Sequence, residues 1–308
     1  MEQEQNKGFT KLASVDIGSN AIRLMLCNVY EGDEPLFKKV ELIRFPLRLG
    51  EDSFLKGYIT HSTIEKLTQV MNAFSLMIKA FGAKEYRICA TSAMRDAENR
   101  EEVIKTVYDR TGMLIEVIEG RVEAEIIFSN HVAEHLEKKN SYLYIDVGGG
   151  STELTMFTKG KYKDSLSFNI GTIRMLHNKV SKKQWQNFKD QVKEFCNTGN
   201  PLVGIGSGGN INKIFKMNAK KDHLYMTLDK LKESYEYISS FTVDERIREL
   251  KLNPDRADVI IPAFRIFLAV MKAASIDKIM VPQIGLSDGI VHQLYESYQS
   301  KFHNSIIE

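Results

Sequence analysis

The chain reads Ala13-Ser14-Val15-Asp16-Ile17-Gly18-Ser19-Asn20 near its start and repeats the pattern as Tyr142-Leu143-Tyr144-Ile145-Asp146-Val147-Gly148-Gly149-Gly150-Ser151. Each stretch is an apolar run that ends in Asp and passes into a turn of Gly and Ser. A third stretch, Leu202-Val203-Gly204-Ile205-Gly206-Ser207-Gly208-Gly209-Asn210, again places a glycine turn after an apolar run. Each pattern predicts a strand that ends in a tight turn, and the repetition predicts two similar halves.

Turns of this composition suit an anionic ligand. Glycine lets backbone N–H groups converge on a phosphate, and Ser19, Asn20 and Ser151 add hydroxyl or amide groups. Structural hairpins also favour Gly and Asn, but two copies with the Asp in register favour phosphate binding. A carboxylate beside a phosphate suits Mg²⁺, so we expect Asp16 and Asp146 to hold this ion, with or without a monovalent cation.

Length and composition set the broad class. A chain of 308 residues fits two domains, and 43% hydrophobic with 27% charged residues is ordinary for a globular protein. The net charge of +2 does not favour nucleic acid as a partner. No leader-like or membrane-spanning segment is predicted, so we expect a cytoplasmic protein with reduced cysteines.

Hydrophobic periodicity predicts an α/β protein. Short apolar runs predict strands after each Asp turn and at 86–90, 114–118, 202–205 and 278–281. Spacings of three and four predict helices at about 60–82, 99–110, 120–139, 181–195, 210–217, 227–239, 243–250, 255–274 and 287–298. Strands mixed with helices in both halves indicate two α/β domains.

Two further segments carry reactive side chains. Thr91 and Ser92 precede Arg95, whose planar guanidinium can grip phosphate oxygens, although a helix cap with a surface salt bridge also fits. Four acids, Glu116, Glu119, Glu123 and Glu125, then surround the start of a helix. They can simply complement the helix dipole, or one can take a proton from an attacking water, and the residues themselves do not choose.

Together these segments resemble the exopolyphosphatase/guanosine pentaphosphatase (Ppx/GppA) family, within the superfamily of actin, sugar kinases and heat-shock chaperone ATPases. Five segments occur in the family's order: Asp16–Asn20, Thr91–Arg95, Gly120–Ala124, Asp146–Glu153 and Gly206–Gly209. The resemblance implies two ribonuclease-H-like (actin-like ATPase) domains with the active site in the cleft between them. We expect residues 1–125 with about 295–308 in one domain and 126–294 in the other.

The resemblance also implies roles for single residues. Glu123 is the catalytic base, and Arg95, Asp146 and Glu153 match family positions needed for activity. The expected phosphate-binding residues are Gly18, Ser19, Asn20, Arg23, Thr91, Ser92, Gly148, Gly149, Gly150, Ser151, Ser207, Gly208, Gly209 and Asn210. Two departures stand out, since the family usually has Ser where this chain has Ala21 and often Arg where it has Ser287.

The implied function is an exopolyphosphatase that hydrolyses the terminal phosphate of inorganic polyphosphate with Mg²⁺. Hydrolysis of guanosine pentaphosphate is the nearest alternative; a phosphotransferase or ATPase, and a sensor that binds alarmone nucleotides without catalysis, are the others. We expect a short two-domain homodimer with no nucleic-acid or membrane partner.

Two other motifs are formally present and are not favoured. Gly204-x-Gly206-x-x-Gly209 matches the dinucleotide fingerprint, but Asp229, the acid it needs, lies where a helix is predicted. His131 and His135 match an inverted zinc-protease spacing that is common on polar helices.

Overall fold

The computed structural model describes residues 8–128, 140–159, 161–199, 201–218 and 225–307. The chain divides into two compact units: residues 1–119 with 286–308 form the first, and residues 120–285 form the second. Both units combine a mixed sheet with helices, which confirms the predicted α/β class.

The first unit is built on a five-stranded sheet. Its elements up to residue 119 are β1 (Phe9–Ile17), β2 (Ala21–Tyr30), β3 (Leu36–Pro46), α1 (Leu49–Lys56), α2 (His61–Phe81), β4 (Glu85–Ala90), α3 (Ser92–Arg95), α4 (Arg100–Thr111) and β5 (Glu116–Val117). The strand order is β3-β2-β1-β4-β5. The first three strands form an antiparallel meander, while β4 and β5 run parallel to β1.

The second unit has a six-stranded sheet. Its elements are α5 (Gly120–Phe128), β6 (Ser141–Val147), β7 (Thr152–Thr158), β8 (Lys161–Phe168), α6 (Thr172–Leu176), α7 (Lys182–Phe195), β9 (Leu202–Ser207), α8 (Gly209–Asn218), β10 (Tyr225–Thr227), α9 (Leu228–Ser239), α10 (Val243–Arg248), α11 (Pro254–Ala257), α12 (Ile260–Ala273) and β11 (Lys278–Met280). The order is β10-β11-β9-β6-β7-β8. The last helix, α13 (Leu286–Ile307), belongs to the first unit.

The two sheets share one topology. In each, an antiparallel meander of three strands is followed by two strands that add in parallel to the other side of the first strand, and the second sheet adds β10 antiparallel to β11 at its edge. The central strands β1 and β6 are almost wholly buried, as expected for strands covered by helices on both faces. The repeated Asp-and-Gly phrase is therefore the end of the central strand in both units.

Sequence periodicity missed the third strand of both meanders. β3 and β8 are mostly exposed edge strands in which charged residues interrupt the apolar ones, so neither shows the alternation of a half-buried strand. The helix from about 255 to 274 is also two helices, α11 and α12. By contrast, α2 ends at Gly82 as expected, with that glycine in the left-handed conformation.

Both domain boundaries lie earlier than expected. The first change of unit falls between Glu119 and Gly120, because α5 packs on β7 and β8 of the second sheet. The second falls between Gly285 and Leu286, because α13 from its first residue onward packs against β1, β2 and β4. Tertiary packing therefore decides where each unit ends, and the local sequence does not indicate it.

The remaining coarse expectations concern membranes and cysteines. Within the described ranges, no helix combines the length and apolar character that crossing a bilayer requires. Cys27, Cys89 and Cys196 are buried, and none of the three is in a disulfide. Burial raises the pKa of the Cys27 and Cys196 thiols to about 12, so both stay protonated near neutral pH.

Candidate active site

The first turn joins β1 to β2. The Gly18 N–H donates to the Ala21 carbonyl at 3.1 Å, which closes the turn with Ser19 and Asn20 at its tip. Asp16 is the register partner of Arg23 on the facing strand, and the two side chains form an ion pair. The Asp16 carboxylate is buried, and the Arg23 guanidinium offsets its charge.

Two more of the predicted phosphate-binding residues lie beside this turn. The hydroxyl oxygens of Ser19 and Ser92 are 2.9 Å apart and hydrogen-bonded, although the residues are far apart in the chain. The Thr91 N–H donates to the Ile17 carbonyl at 3.2 Å, because β4 runs parallel to β1 and ends at the same edge of the sheet. The first unit therefore gathers Ser19, Ser92 and Thr91 at one point.

Arg95 closes α3 and is largely covered. Its Nη1 donates to the Ile118 carbonyl at 2.8 Å, and its Nε lies 3.8 Å from a carboxylate oxygen of Glu119. The side chain is 15% exposed, against 74% for that of Glu119. The salt bridge of the alternative interpretation thus exists, but it is long, and the guanidinium itself is not on the surface.

The second turn joins β6 to β7 with the same closure. The Gly148 N–H donates to the Ser151 carbonyl at 3.0 Å. Here the register partner of Asp146 is Glu153, and both side chains are buried. Side chains that face each other across antiparallel strands are neighbours, and like charges directly opposite are destabilising. Glu153 also accepts a hydrogen bond from the Ser167 hydroxyl at 3.3 Å. This turn therefore has the donor chemistry of a cation site.

The third glycine turn packs against the second. Ser207 pairs with Asp146 across the parallel strands β9 and β6. Gly208 has φ +105°, and a Cβ there would lie 2.8 Å from the Val147 carbonyl oxygen and 3.3 Å from Asp146 Oδ1. Only glycine suits this position, both for its backbone and for its space. Gly209 and Asn210 then open α8.

The start of α5 lies against Glu153, one of the two carboxylates of the second turn. A Cβ at Gly120 would be 3.3 Å from Glu153 Oε1, so the backbone of the helix N-terminus approaches that side chain closely. Glu123 lies in the first turn of α5 and is half-buried. This places the expected base in the same unit as Asp146 and Glu153.

The structure separates the four acids that the sequence left undecided. Glu116 is held by Arg87 through two contacts of 2.8 Å, which lower the pKa of its carboxyl. Glu119 is the distant partner of Arg95, and Glu125 pairs with Arg121 of its own helix at 3.0 Å. Three of the four acids thus have an arginine partner, and the assignment of Glu123 as the base stays a prediction from the family resemblance.

The chemistry of the donors distinguishes the two expected Mg²⁺ ligands. Asp146 has a second carboxylate opposite it, whereas Asp16 already has Arg23. Among the described residues, no group of three or more His, Cys, Asp or Glu could hold a metal. A pair of carboxylates still fits Mg²⁺, which commonly takes one or two carboxylates and completes its shell with water and phosphate oxygens.

Sequence reasoning missed two segments that touch the turns. After β3, the backbone N–H groups of Arg48 and Gly50 donate to the carbonyls of Asn20 and Ser19, at 3.2 and 2.8 Å. After β8, residues 170–174 contact the second turn in a similar way. We call these segments, 48–50 and 170–174, the first and second latch. Both segments directly follow the third strand of a meander, so the sequence points to them only once β3 and β8 are recognised as strands.

The two disfavoured motifs gain no support. Asp229 lies in the first turn of α9 and pairs with Lys232, not at the end of a strand where a ribose-binding acid belongs. His131 and His135 lie outside the described residues. Ser287, where the family often has Arg, is the second residue of α13, and its carbonyl accepts a hydrogen bond from the Ser14 hydroxyl at 2.8 Å.

The comparison with protein families decides the assignment. The model of the Ppx/GppA phosphatase family matches residues 28–298. The chain belongs to the Ppx/GppA phosphatase family. Among curated relatives of this Ppx/GppA chain, a bifunctional 3-dehydroquinate synthase/phosphatase of Fusobacterium nucleatum is 28% identical, with 94% of this chain and 47% of the relative covered. The chain thus spans about half the length of that relative.

Other relatives match along nearly their whole length. Exopolyphosphatase 1 of Mycobacterium bovis is 22% identical, over 93% of this chain and 89% of the relative. The crystal structure of an exopolyphosphatase from Cytophaga hutchinsonii is 22% identical with a TM-score of 0.81, over 94% of this chain and 98% of that one. The structural match establishes the two-domain actin-like ATPase fold that the Ppx/GppA resemblance implied.

Proposed function

We propose that this Ppx/GppA phosphatase is an exopolyphosphatase, which hydrolyses the terminal phosphoanhydride bond of inorganic polyphosphate. The observation that carries the proposal is the second turn, where glycine backbone, a pair of buried carboxylates and the start of α5 lie together. Relatives that match most of the chain are named exopolyphosphatases, which supports this substrate class.

Phosphate recognition is assigned to backbone and hydroxyl groups of both units. In the first unit these are Gly18, Ser19, Asn20, Thr91 and Ser92, with the guanidinium groups of Arg23 and Arg95. In the second unit they are Gly148, Gly149, Gly150, Ser151, Ser207, Gly208, Gly209 and Asn210. Neutral N–H and O–H donors fix orientation, and the guanidinium groups offset charge that develops on the phosphoryl oxygens.

Glu123 is assigned as the general base. Its carboxylate takes a proton from a water molecule, the water oxygen forms a bond to the terminal phosphorus, and the bond from that phosphorus to the bridging oxygen breaks. Orthophosphate leaves, and the chain is one phosphate shorter. In phosphoryl transfer the protein acts mainly by positioning and charge stabilisation, which suits a site built from turns.

Magnesium is the proposed metal. Asp146 would hold it, with Glu153 facing that carboxylate across the strands. When bound, the ion would neutralise phosphate charge and polarise the bond that is broken. We assign Asp16 instead to Arg23, its ion-pair partner. The proposal further includes a homodimer and a cytoplasmic location, which gel filtration and cell fractionation would test.

The experiment measures phosphate release from long-chain polyphosphate and from guanosine pentaphosphate at one fixed concentration of free Mg²⁺. We expect polyphosphate to be the better substrate by kcat/KM. Glu123→Gln should lower kcat by roughly 10²–10⁴-fold. Glu125→Gln is the matched control, because its carboxylate pairs with Arg121 on an exposed helix face and should leave kcat unchanged.

Preference for guanosine pentaphosphate would replace the substrate but keep the mechanism. Release from neither substrate would refute the hydrolase assignment and favour a sensor. Equal kcat for Glu123→Gln and wild type would refute the base, and Glu119 would then be the next acid to test.

A further inference from the structure

The second latch, residues 170–174, is bound to the glycine turn through successive backbone carbonyls. The Thr172 N–H donates to the Gly148 carbonyl at 3.0 Å, and the Ile173 N–H donates to the Gly149 carbonyl at 2.9 Å. In the opposite direction, the Thr152 hydroxyl donates to the Ile170 carbonyl at 2.6 Å. The turn is therefore held from one side along its length.

Arg174 completes this row. Its Nε donates to the Gly150 carbonyl at 2.8 Å, so all three glycine carbonyls of the turn accept a hydrogen bond from the latch. In a planar trans peptide the N–H points opposite to the carbonyl of the preceding residue. Anchoring the carbonyls of Gly148, Gly149 and Gly150 therefore turns the N–H groups of Gly149, Gly150 and Ser151 away from the latch.

Gly171 allows the contact to be this close. A Cβ at Gly171 would lie 2.4 Å from both the carbonyl carbon and oxygen of Gly149, and 2.5 Å from the carbonyl carbon of Gly150. These are backbone atoms, so no side-chain rotation can relieve the clash. The backbone of Gly171 is extended, with φ −141°, a conformation that any residue adopts. Glycine is therefore required here because no side chain fits, and not because of the backbone conformation.

We propose that Arg174 and Gly171 are positioning residues for catalysis, because they aim the N–H groups of Gly149, Gly150 and Ser151 at the phosphoryl group that is transferred. The proposal rests on the proposed function of the second turn as a phosphate-binding element. Three N–H groups that converge on one side of a turn form an anion-binding concavity. The guanidinium acts through the turn and need not touch the substrate.

The test compares Gly171→Ala, Arg174→Lys and Arg174→Ala with wild type. Orthovanadate serves as the binding probe, because it takes the geometry of a phosphoryl group under attack. Gly171→Ala should lower kcat by about 100-fold or more and weaken vanadate inhibition at least about tenfold. Arg174→Lys keeps the charge but loses the Nε donor, so kcat should fall by roughly tenfold.

Two controls separate positioning from general stability. Gly32→Ala adds the same methyl group in an exposed turn of the first unit, where it would lie 3.7 Å from the Glu34 carbonyl oxygen, and should keep wild-type kcat. Added guanidinium ion should restore part of the kcat of Arg174→Ala without changing its thermal midpoint. If Gly171→Ala loses activity and also has a lowered thermal midpoint, the two Arg174 variants decide between positioning and general stability.

The outcomes of the proposal and of the proposed function differ. Wild-type kcat and vanadate inhibition in both Gly171→Ala and Arg174→Lys would overturn the positioning role while leaving the hydrolase intact. If wild type hydrolyses no polyphosphate but binds orthophosphate in a ³¹P NMR titration, and Gly171→Ala and Arg174→Lys lose that binding, the hydrolase fails, while the positioning of the turn N–H groups for phosphate binding stands.

Discussion

The first and second turns have one backbone design and opposite electrostatics. In each, a Gly N–H closes the turn at about the same distance, and a latch after the third strand donates to carbonyls of the turn. In each, the Asp at the end of the central strand faces a partner at the same register. That partner is Arg23 for Asp16 and Glu153 for Asp146.

The difference in charge leads us to expect different roles for the two copies of this backbone. An Asp with a guanidinium opposite is internally neutralised, and it leaves the guanidinium oriented for an external anion. An Asp directly opposite a second carboxylate experiences like-charge repulsion, which a bound cation would offset. On the proposed function, we therefore expect the first turn to bind phosphate through its guanidinium, and the second turn to bind the metal, with Glu123 of α5 as the base.

The largest expected effect tests this division through the metal. Asp146→Asn and Glu153→Gln should each raise the free Mg²⁺ needed for half-maximal activity by about 10–100-fold, since a neutral amide is a poor ligand for a hard cation. Asp16→Asn is the matched variant and should leave the Mg²⁺ requirement unchanged. A Mg²⁺ titration of all three, with free ion buffered against polyphosphate, measures this. An equal rise in the Mg²⁺ requirement for Asp16→Asn would favour both Asp residues as metal ligands and refute the proposed difference between the two turns.

Arg95 should give the next largest effect. Arg95→Lys keeps the charge but cannot reproduce a planar fork, so kcat/KM should fall by roughly 10–100-fold. Steady-state kinetics on polyphosphate would measure it. Glu119→Gln controls for the 3.8 Å salt bridge and should change kcat/KM little. Near-wild-type kinetics for Arg95→Lys would show that Arg95 has only a structural role, through its hydrogen bond to the Ile118 carbonyl.

The ion pair of the first turn should act through substrate binding. Arg23→Gln should raise KM for polyphosphate by about tenfold, and Asp16→Asn somewhat less, because Asp16 orients a group that binds phosphate. Their double mutant should resemble Arg23→Gln alone, with a coupling free energy of about 0.5–3 kcal/mol. Fully additive effects would show that the two side chains act independently and that the ion pair has no part in binding.

The smallest expected effect concerns Asp52 of α1, just after the first latch. Burial would raise the pKa of Asp52 in α1, but hydrogen bonds from Lys56 and Thr60 outweigh it and lower the pKa to about 2. Because the folded pKa is depressed, the stabilisation is complete above the unfolded value of about 4 and is lost as the pH falls towards 2. Asp52→Asn should lower the free energy of unfolding by about 1–3 kcal/mol at pH 7.

Urea unfolding at several pH values checks this prediction. The difference between wild type and Asp52→Asn should narrow between about pH 4 and pH 2. Asp109→Asn removes an exposed i, i+4 partner of Lys105 and should change stability by less than about 0.5 kcal/mol at any pH. A difference that stays constant through this pH range would mean that the ionised carboxylate of Asp52 contributes nothing.

The sequence by itself determined the fold class, the repeat and the position of both turns. An apolar run that ends in Asp and Gly specifies a buried strand and a tight turn through local interactions alone, as β1 and β6 confirm. The order of five short motifs sufficed for the family. The roles assigned to single residues, including Glu123 as base, stay predictions that the experiments above address.

Only the tertiary structure decided which charges meet. Whether Asp16 faces Arg23 depends on strand register, and the pairing of Glu116, Glu119 and Glu125 depends on where Arg87, Arg95 and Arg121 lie in space. The latches follow edge strands whose charged residues hide the strand pattern, so local periodicity cannot reveal them. Gly171 looks like any glycine in the sequence, and only packing shows that its missing Cβ makes room for the turn.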